Sequence, residues 1–149
     1  MKTKTLAILV LVVLLAAIVA SPVCAAERGK LVSQVEALRV QFVASAEKLR
    51  EVLFEAALIN AEMFEGGKIR KKVFQNQNER LCRLYDTTNW QTGEAEGQNF
   101  PLLSVRDLKL WITKLQVDIN GLKKAAAVIK KGRVFREEAF LSLAVDAKH

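Results

Sequence analysis

Between Leu31 and Met63, alternate steps of four and three residues land on Leu31, Val35, Leu38, Phe42, Ser45, Leu49, Val52, Ala56, Ile59 and Met63. All but Ser45 are apolar. In a helix this spacing holds them in one strip, so the pattern predicts an amphipathic helix sustained over about five heptads. Val32, Val43, Ala46, Leu53 and Ala57 widen the strip beyond the seam of a two-stranded coil, which suits a bundle. No Pro or Gly interrupts it, and Gly66-Gly67 supplies the stop.

A second strip runs through Val105, Leu108, Ile112, Leu115, Ile119, Leu122, Ala126 and Ile129. Ser104 is placed to cap its start, with Asp107 adding negative charge to the first turn. Asn120-Gly121 would ordinarily mark a turn. The strip nevertheless keeps phase from Ile119 to Leu122 to Ala126, and a turn has no reason to preserve phase. One helix over 105–131 is therefore predicted, broken or bent at Gly132. Between the two strips, Phe74, Gln77, Leu81 and Leu84 share a face, with Ile69 and Val73 beside it. They predict a helix over 68–85, although the alternation of Ile69, Lys71 and Val73 would also fit a short strand. Residues 86–103 are polar and contain Gly93, Gly97 and Pro101, which reads as a long loop. Trp90 and Phe100 are large apolar groups within this polar stretch. Val134–Val145 forms a weaker amphipathic piece.

These elements predict an all-α fold. The expected form is an elongated antiparallel helical bundle, a coiled-coil-like hairpin of the two long helices with shorter helices packed on it. No internal repeat of about 20–50 residues is present.

The front of the chain changes the picture of where the protein works. Lys2 and Lys4 precede an unbroken apolar run from Leu6 to Ala20, followed by Ser21-Pro22-Val23-Cys24-Ala25-Ala26. A positive start, an apolar middle and small residues after a helix breaker make a secretory signal peptide. With Val23 and Ala25 at the −3 and −1 positions, the expected cut follows Ala25. That leaves residues 26–149 as one helical domain in the periplasm or outside the cell. An uncleaved anchor is disfavoured because spanning takes about 20 apolar residues. Lipidation at Cys24 is disfavoured by the residues before it, Ser21-Pro22-Val23.

Loss of Lys2 and Lys4 lowers the formal net charge from +7 to +5. The exported domain stays basic and favours anionic partners, either an acidic envelope protein or an anionic membrane surface. Export makes nucleic acid the least favoured. The charge is unevenly placed. Lys68, Arg70, Lys71 and Lys72 form one cluster. Lys123, Lys124, Lys130, Lys131, Arg133 and Arg136 form another, in a stretch without acids from Ile119 to Arg136. Lys123 and Lys130 are seven apart, as are Lys124 and Lys131, so each pair follows one side of a helix whose other side holds Leu122, Ala126 and Ile129. Such a helix could lie on an anionic membrane. Its apolar side could equally be bundle core with the lysines solvated.

Candidate chemistry adds little. The one histidine is His149, the last residue, and no Cys-x-x-Cys or His-x-x-x-His occurs. No catalytic, metal or cofactor residue is assigned, and an enzyme is not expected. Glu47, Glu51, Glu55, Glu62 and Glu65 fall along one helix face. Lys48 and Arg50 lie beside them, and the Glu-x-x-His pairs of di-iron bundles are lacking, so this is read as a solvated face. Once Cys24 leaves with the signal, Cys82 stands alone between Arg80 and Arg83. It is expected to be a half-buried packing residue beside Leu81. The alternatives are a thiol activated by the two guanidiniums and a disulfide between chains of a homo-oligomer. Trp90 and Phe100 are expected to anchor the loop, the alternative being exposed contact residues. The chain thus reads as an exported, non-enzymatic helical binding or adaptor protein, with an assembly or chaperone-like role in the envelope. The alternative is a membrane-surface or lipid-binding protein using the cationic helix 122–136.

Overall fold

The computed structural model describes the backbone of residues 2–131 and the side chains of residues 25–131. The Val134–Val145 piece, Gly132, Arg133, Arg136 and His149 lie outside the described residues. Helix α1 spans Lys2–Glu65, α2 spans Lys71–Gly97, a 3-10 turn spans Phe100–Leu102, and α3 spans Val105–Lys130. The expected all-α bundle is what these helices form, with no strand among the described residues.

Helix α1 is 64 residues long, about 96 Å at 1.5 Å per residue. Pro22 lies inside it, where the sequence predicted a break. A proline removes one N–H from the ladder, and here the helical backbone continues on either side. The helix stops at Gly66-Gly67 for a local reason. Gly67 takes φ +66°, and its N–H donates to Phe64 O at 3.0 Å while that of Lys68 donates to Met63 O at 2.8 Å. These two bonds satisfy carbonyls that the last helical turn leaves unpaired, and the left-handed backbone between them favours glycine. At the start of α3, the Ser104 hydroxyl oxygen accepts from the Asp107 N–H at 3.1 Å. The helix then runs through Asn120-Gly121 without interruption, as the phase of its strip predicted.

The helix predicted over 68–85 forms from Lys71 onward, and the alternative of a short strand at 69–73 is not taken. The expected loop over 86–103 is corrected: α2 continues to Gly97, and a 3-10 turn follows at Phe100–Leu102. The buried side of this second half is made of Thr88, Thr92 and Ala95 following Leu84, at helical spacing. Small side chains let α2 approach α1 closely. The threonine hydroxyls donate to carbonyls one turn back, Thr88 to Leu84 O and Thr92 to Thr88 O, both at 2.7 Å. The polar groups are thus satisfied inside the interface.

The longer α2 alters the topology. It runs antiparallel to α1, with Asn60 beside Phe74 and Asn78, Arg50 beside Asn89, and Arg39 beside Gln98. The chain has therefore returned to the Arg28 end of α1 before α3 begins. There the Arg28 guanidinium donates to the carbonyls of Pro101 and Leu103, and Lys109 pairs with Glu27 at 3.1 Å. Helix α3 then runs back along α1 in the same direction. The bundle is up-down-up, with α1 central and packed against both other helices. The two strongest strips do pair, but as parallel neighbours rather than as a hairpin.

Phe42, Leu49, Leu53, Leu108, Leu115 and Ile119 lie at the centre of the core. Each large aliphatic buried in this way contributes roughly 1.5–3 kcal/mol. Along α1 the buried face rotates relative to the predicted strip. Ala46 is buried where Ser45 was expected, and Asn60 is buried where Ile59 was expected. A straight helix drifts about 20° per heptad against a 3.5-residue repeat. Because α1 serves two neighbours, its buried face centres between them.

Candidate functional site

The cationic stretch of α3 is built on an apolar foundation. Leu122, Ala125 and Ile129 are buried in the bundle, and Ala126 packs against it. Lys123, Lys124, Lys130 and Lys131 are all exposed on the remaining sides of the helix. None of the four has an ion pair among the described residues. The apolar side of this helix is therefore committed to α1, and the lysines face outward.

The second cluster lies at the turn between α1 and α2, where Lys68, Arg70, Lys71 and Lys72 are exposed. In an up-down-up bundle the end of α1, the start of α2 and the end of α3 point the same way. The fold therefore brings two clusters, more than 50 residues apart in sequence, into the same half of the molecule. The carboxylates Glu47, Glu51, Glu55, Glu62 and Glu65 are exposed along α1 in that half. Arg50, expected to pair with them, instead donates to Asn89 Oδ1 at 2.8 Å and ties α1 to α2.

Trp90 and Phe100 were expected to act together as loop anchors, and the structure separates them. Phe100 is fully buried where the 3-10 turn enters the bundle, whereas Trp90 sits on the outer side of α2 and is 68% exposed. The reason is the helical register: Thr88 and Thr92 take the inward positions, which turns Trp90 away. Around Phe100 there is a chain of contacts that sequence reasoning missed. The Arg39 guanidinium lies 5.3 Å above its ring, the Trp111 ring meets it edge-on at 5.4 Å, and Lys114 Nζ sits 4.6 Å from the Trp111 ring. Cations over aromatic faces are attracted by the ring quadrupole. Arg39 also pairs with Glu36 and donates to Gln98 O. Lys114 bridges to Glu94 of α2 at 2.6 Å. Asp118, one turn along α3, is half-buried. Burial pushes its carboxyl above the usual 3.8, Lys114 opposes that shift, and Glu94 adds to it. These residues join α2 and α3 at the level of the 3-10 turn. Their spacing in sequence carries no mark of the joint, because four different elements supply them.

Two further positions depart from expectation. Cys82 is exposed rather than half-buried, since Leu81 takes the inward position beside it. Asn60 is fully buried in a strip predicted to be apolar, and its amide donates to Phe74 O at 3.2 Å and Asn78 Oδ1 at 2.8 Å. Its own Oδ1 and the Oε1 of Gln77 are buried without a donor among the described residues.

Among the described residues, no three His, Cys, Asp or Glu side chains approach one another as a metal site would require. Within residues 25–131, no helical stretch is long and apolar enough to cross a membrane. No family model, curated protein or solved structure matches the chain.

Proposed function

We propose that this protein is an exported, non-enzymatic helical binding protein that takes an acidic protein partner in the cell envelope, with an adaptor or assembly role. One observation carries the reading: Lys123, Lys124, Lys130 and Lys131 stand exposed and unpaired among the described residues, on a helix whose apolar side is already used by the core. Cations fixed to a rigid scaffold attract carboxylates from solution, and the attraction weakens with salt over a Debye length of about 8–10 Å. The exposed cluster at Lys68, Arg70, Lys71 and Lys72, in the same half of the molecule, extends the positive field.

The rival is a helix that lies on an anionic membrane. Such a helix inserts its apolar face into the headgroup boundary. Here Leu122, Ala125 and Ile129 are packed inside the bundle, so insertion requires α3 to leave α1. That favours a protein partner over a lipid surface.

The test changes Lys123, Lys124, Lys130 and Lys131 to Gln, which removes four charges and keeps helix propensity. Parent and variant are used to capture proteins from a native envelope extract across a salt series. Both are also floated with phosphatidylglycerol and phosphatidylcholine vesicles. The expected result is salt-sensitive capture of acidic proteins by the parent alone, with little vesicle binding by either. Equal capture by both proteins would remove this surface from consideration, and strong flotation of the parent with phosphatidylglycerol would restore the membrane reading.

A further inference from the structure

Helix α1 carries a second strip of apolar residues on the side that neither α2 nor α3 covers. Ala37, Val40, Ala44, Glu47, Glu51, Phe54, Leu58 and Ala61 follow one another in alternate steps of three and four. All are exposed except Ala61, which is half-buried. Val40 is 68% exposed, Phe54 67% and Leu58 51%. The core that α1 shares with α2 and α3 is built from its other residues, so this strip stands outside it. Large apolar groups in a row on a surface mark a contact with something else.

The strip is symmetric about Leu49. Counted outward from that residue, Glu47 answers Glu51, Ala44 answers Phe54, Val40 answers Leu58 and Ala37 answers Ala61. Two such helices laid antiparallel, with a two-fold axis at Leu49, bring those residues level in pairs. Phe54 of one copy then comes level with Ala44 of the other. A hollow of about 500 Å³ lies at that level, lined by Arg39, Val40, Val43, Ala44, Glu47 and Glu96. A parallel pairing in register would instead set Phe54 on Phe54 and Ala44 on Ala44. Charge follows the same symmetry. Residues 47–51 read Glu-Lys-Leu-Arg-Glu, the same in charge from either end. Leu49 is buried in its own bundle, and Lys48 has no ion pair among the described residues. At the axis the four glutamates of two copies therefore meet two Lys48 and two Arg50, and the charges balance.

We infer that this strip is the contact between two copies of the chain, which pair antiparallel about Leu49 with each Phe54 seated in the other copy's hollow. From Ala37 to Ala61 the strip is about 36 Å long at 1.5 Å per residue. A helix contact of that length, widened by α2 at Glu96, is of the size of a specific dimer interface, roughly 800 Å² per partner. The same patch serves both copies, so the pair is closed and does not grow into a filament. Glu47 and Glu51, solvated in the single chain, become the polar centre of the contact. The inference does not depend on what the lysines of α3 bind.

Sedimentation of the purified protein, in the form that cells produce, tests it. The parent should form dimers at concentrations below about 0.1 mM. Phe54→Glu and Ala44→Lys should each raise the dimer dissociation constant at least about tenfold, since the first removes the group that fills the hollow and the second obstructs it. Both positions are exposed, so helicity by circular dichroism should be unchanged. Mixing the two variants should restore dimers. In the mixed pair the new lysine of one chain faces the new glutamate of the other, and the second contact keeps its native alanine and phenylalanine. That rescue requires residue 44 of one copy to meet residue 54 of the other. Trp90→Glu is the control, equally exposed but on the outer side of α2, and should leave the dimer intact. A parent that stays monomeric at about 0.1 mM, a dimer that survives Phe54→Glu, a dimer lost in Trp90→Glu, or a mixture that stays monomeric would each overturn the inference.

Discussion

The ammonium of Lys114 on α3 lies 2.6 Å from the carboxylate of Glu94 on α2, and Asp118 waits one turn further along α3 with its carboxyl half-buried. Two acids share one cation at the place where these helices meet.

A pH dependence follows from that arrangement. The carboxyl of Asp118 is raised in the folded state, so folding favours its protonated form. The stabilisation from protonated Asp118 is complete below its unfolded value near 3.8 and is lost as pH rises through the folded value. At neutral pH the charged carboxylate opposes folding. Asp118→Asn should therefore raise the melting temperature at pH 7, and the gain should vanish below about pH 3.8. A melting difference that is constant across pH would show that Asp118 is not perturbed.

The separation of the two loop aromatics can be measured directly. Phe100→Ala empties a fully enclosed site that Arg39 and Trp111 both contact, and it should cost about 3–5 kcal/mol in denaturant unfolding. Trp90→Ala, on the exposed side of α2, should stay within about 0.5 kcal/mol of the parent. Similar losses for both would place Trp90 in a contact that the bundle does not contain.

Cys82 should react as an exposed thiol. A maleimide reagent should label it in the native protein at nearly the rate seen in denaturant, because Leu81 rather than Cys82 faces the core. Protection in the native state would indicate that a second chain covers it. Non-reducing electrophoresis of material taken directly from cells would then show whether that chain is linked through the thiol.

Processing is open to the simplest measurement. If the front of the chain is a signal peptide, protein recovered from outside the cytoplasm begins at Ala26 or Glu27. Recovery of chains that begin at Met1 would instead keep α1 at its full 64 residues and tether the bundle to the membrane.

Sequence alone determined the features whose causes are local. The long strips of α1 and α3 are visible because large apolar residues recur at a helical period. The stop at Gly67 and the cap at Ser104 are visible because the bonds that form them join residues at most five positions apart. Even the passage of α3 through Asn120-Gly121 was legible in the phase of its strip. The second half of α2 was not, because its buried side is threonine and alanine. A pattern of hydrophobicity cannot distinguish that side from a polar loop; only close approach to α1 makes it a core face. The direction of α3 depended on how far α2 ran, so it was settled by tertiary structure as well. The same holds for Trp90 pointing out while Phe100 points in, for Asn60 displacing Ile59 from the interior, and for Asp118 meeting Glu94. Each of these depends on which neighbours a helix has, and a helix's own period specifies only that it has an inside, not what will lie there.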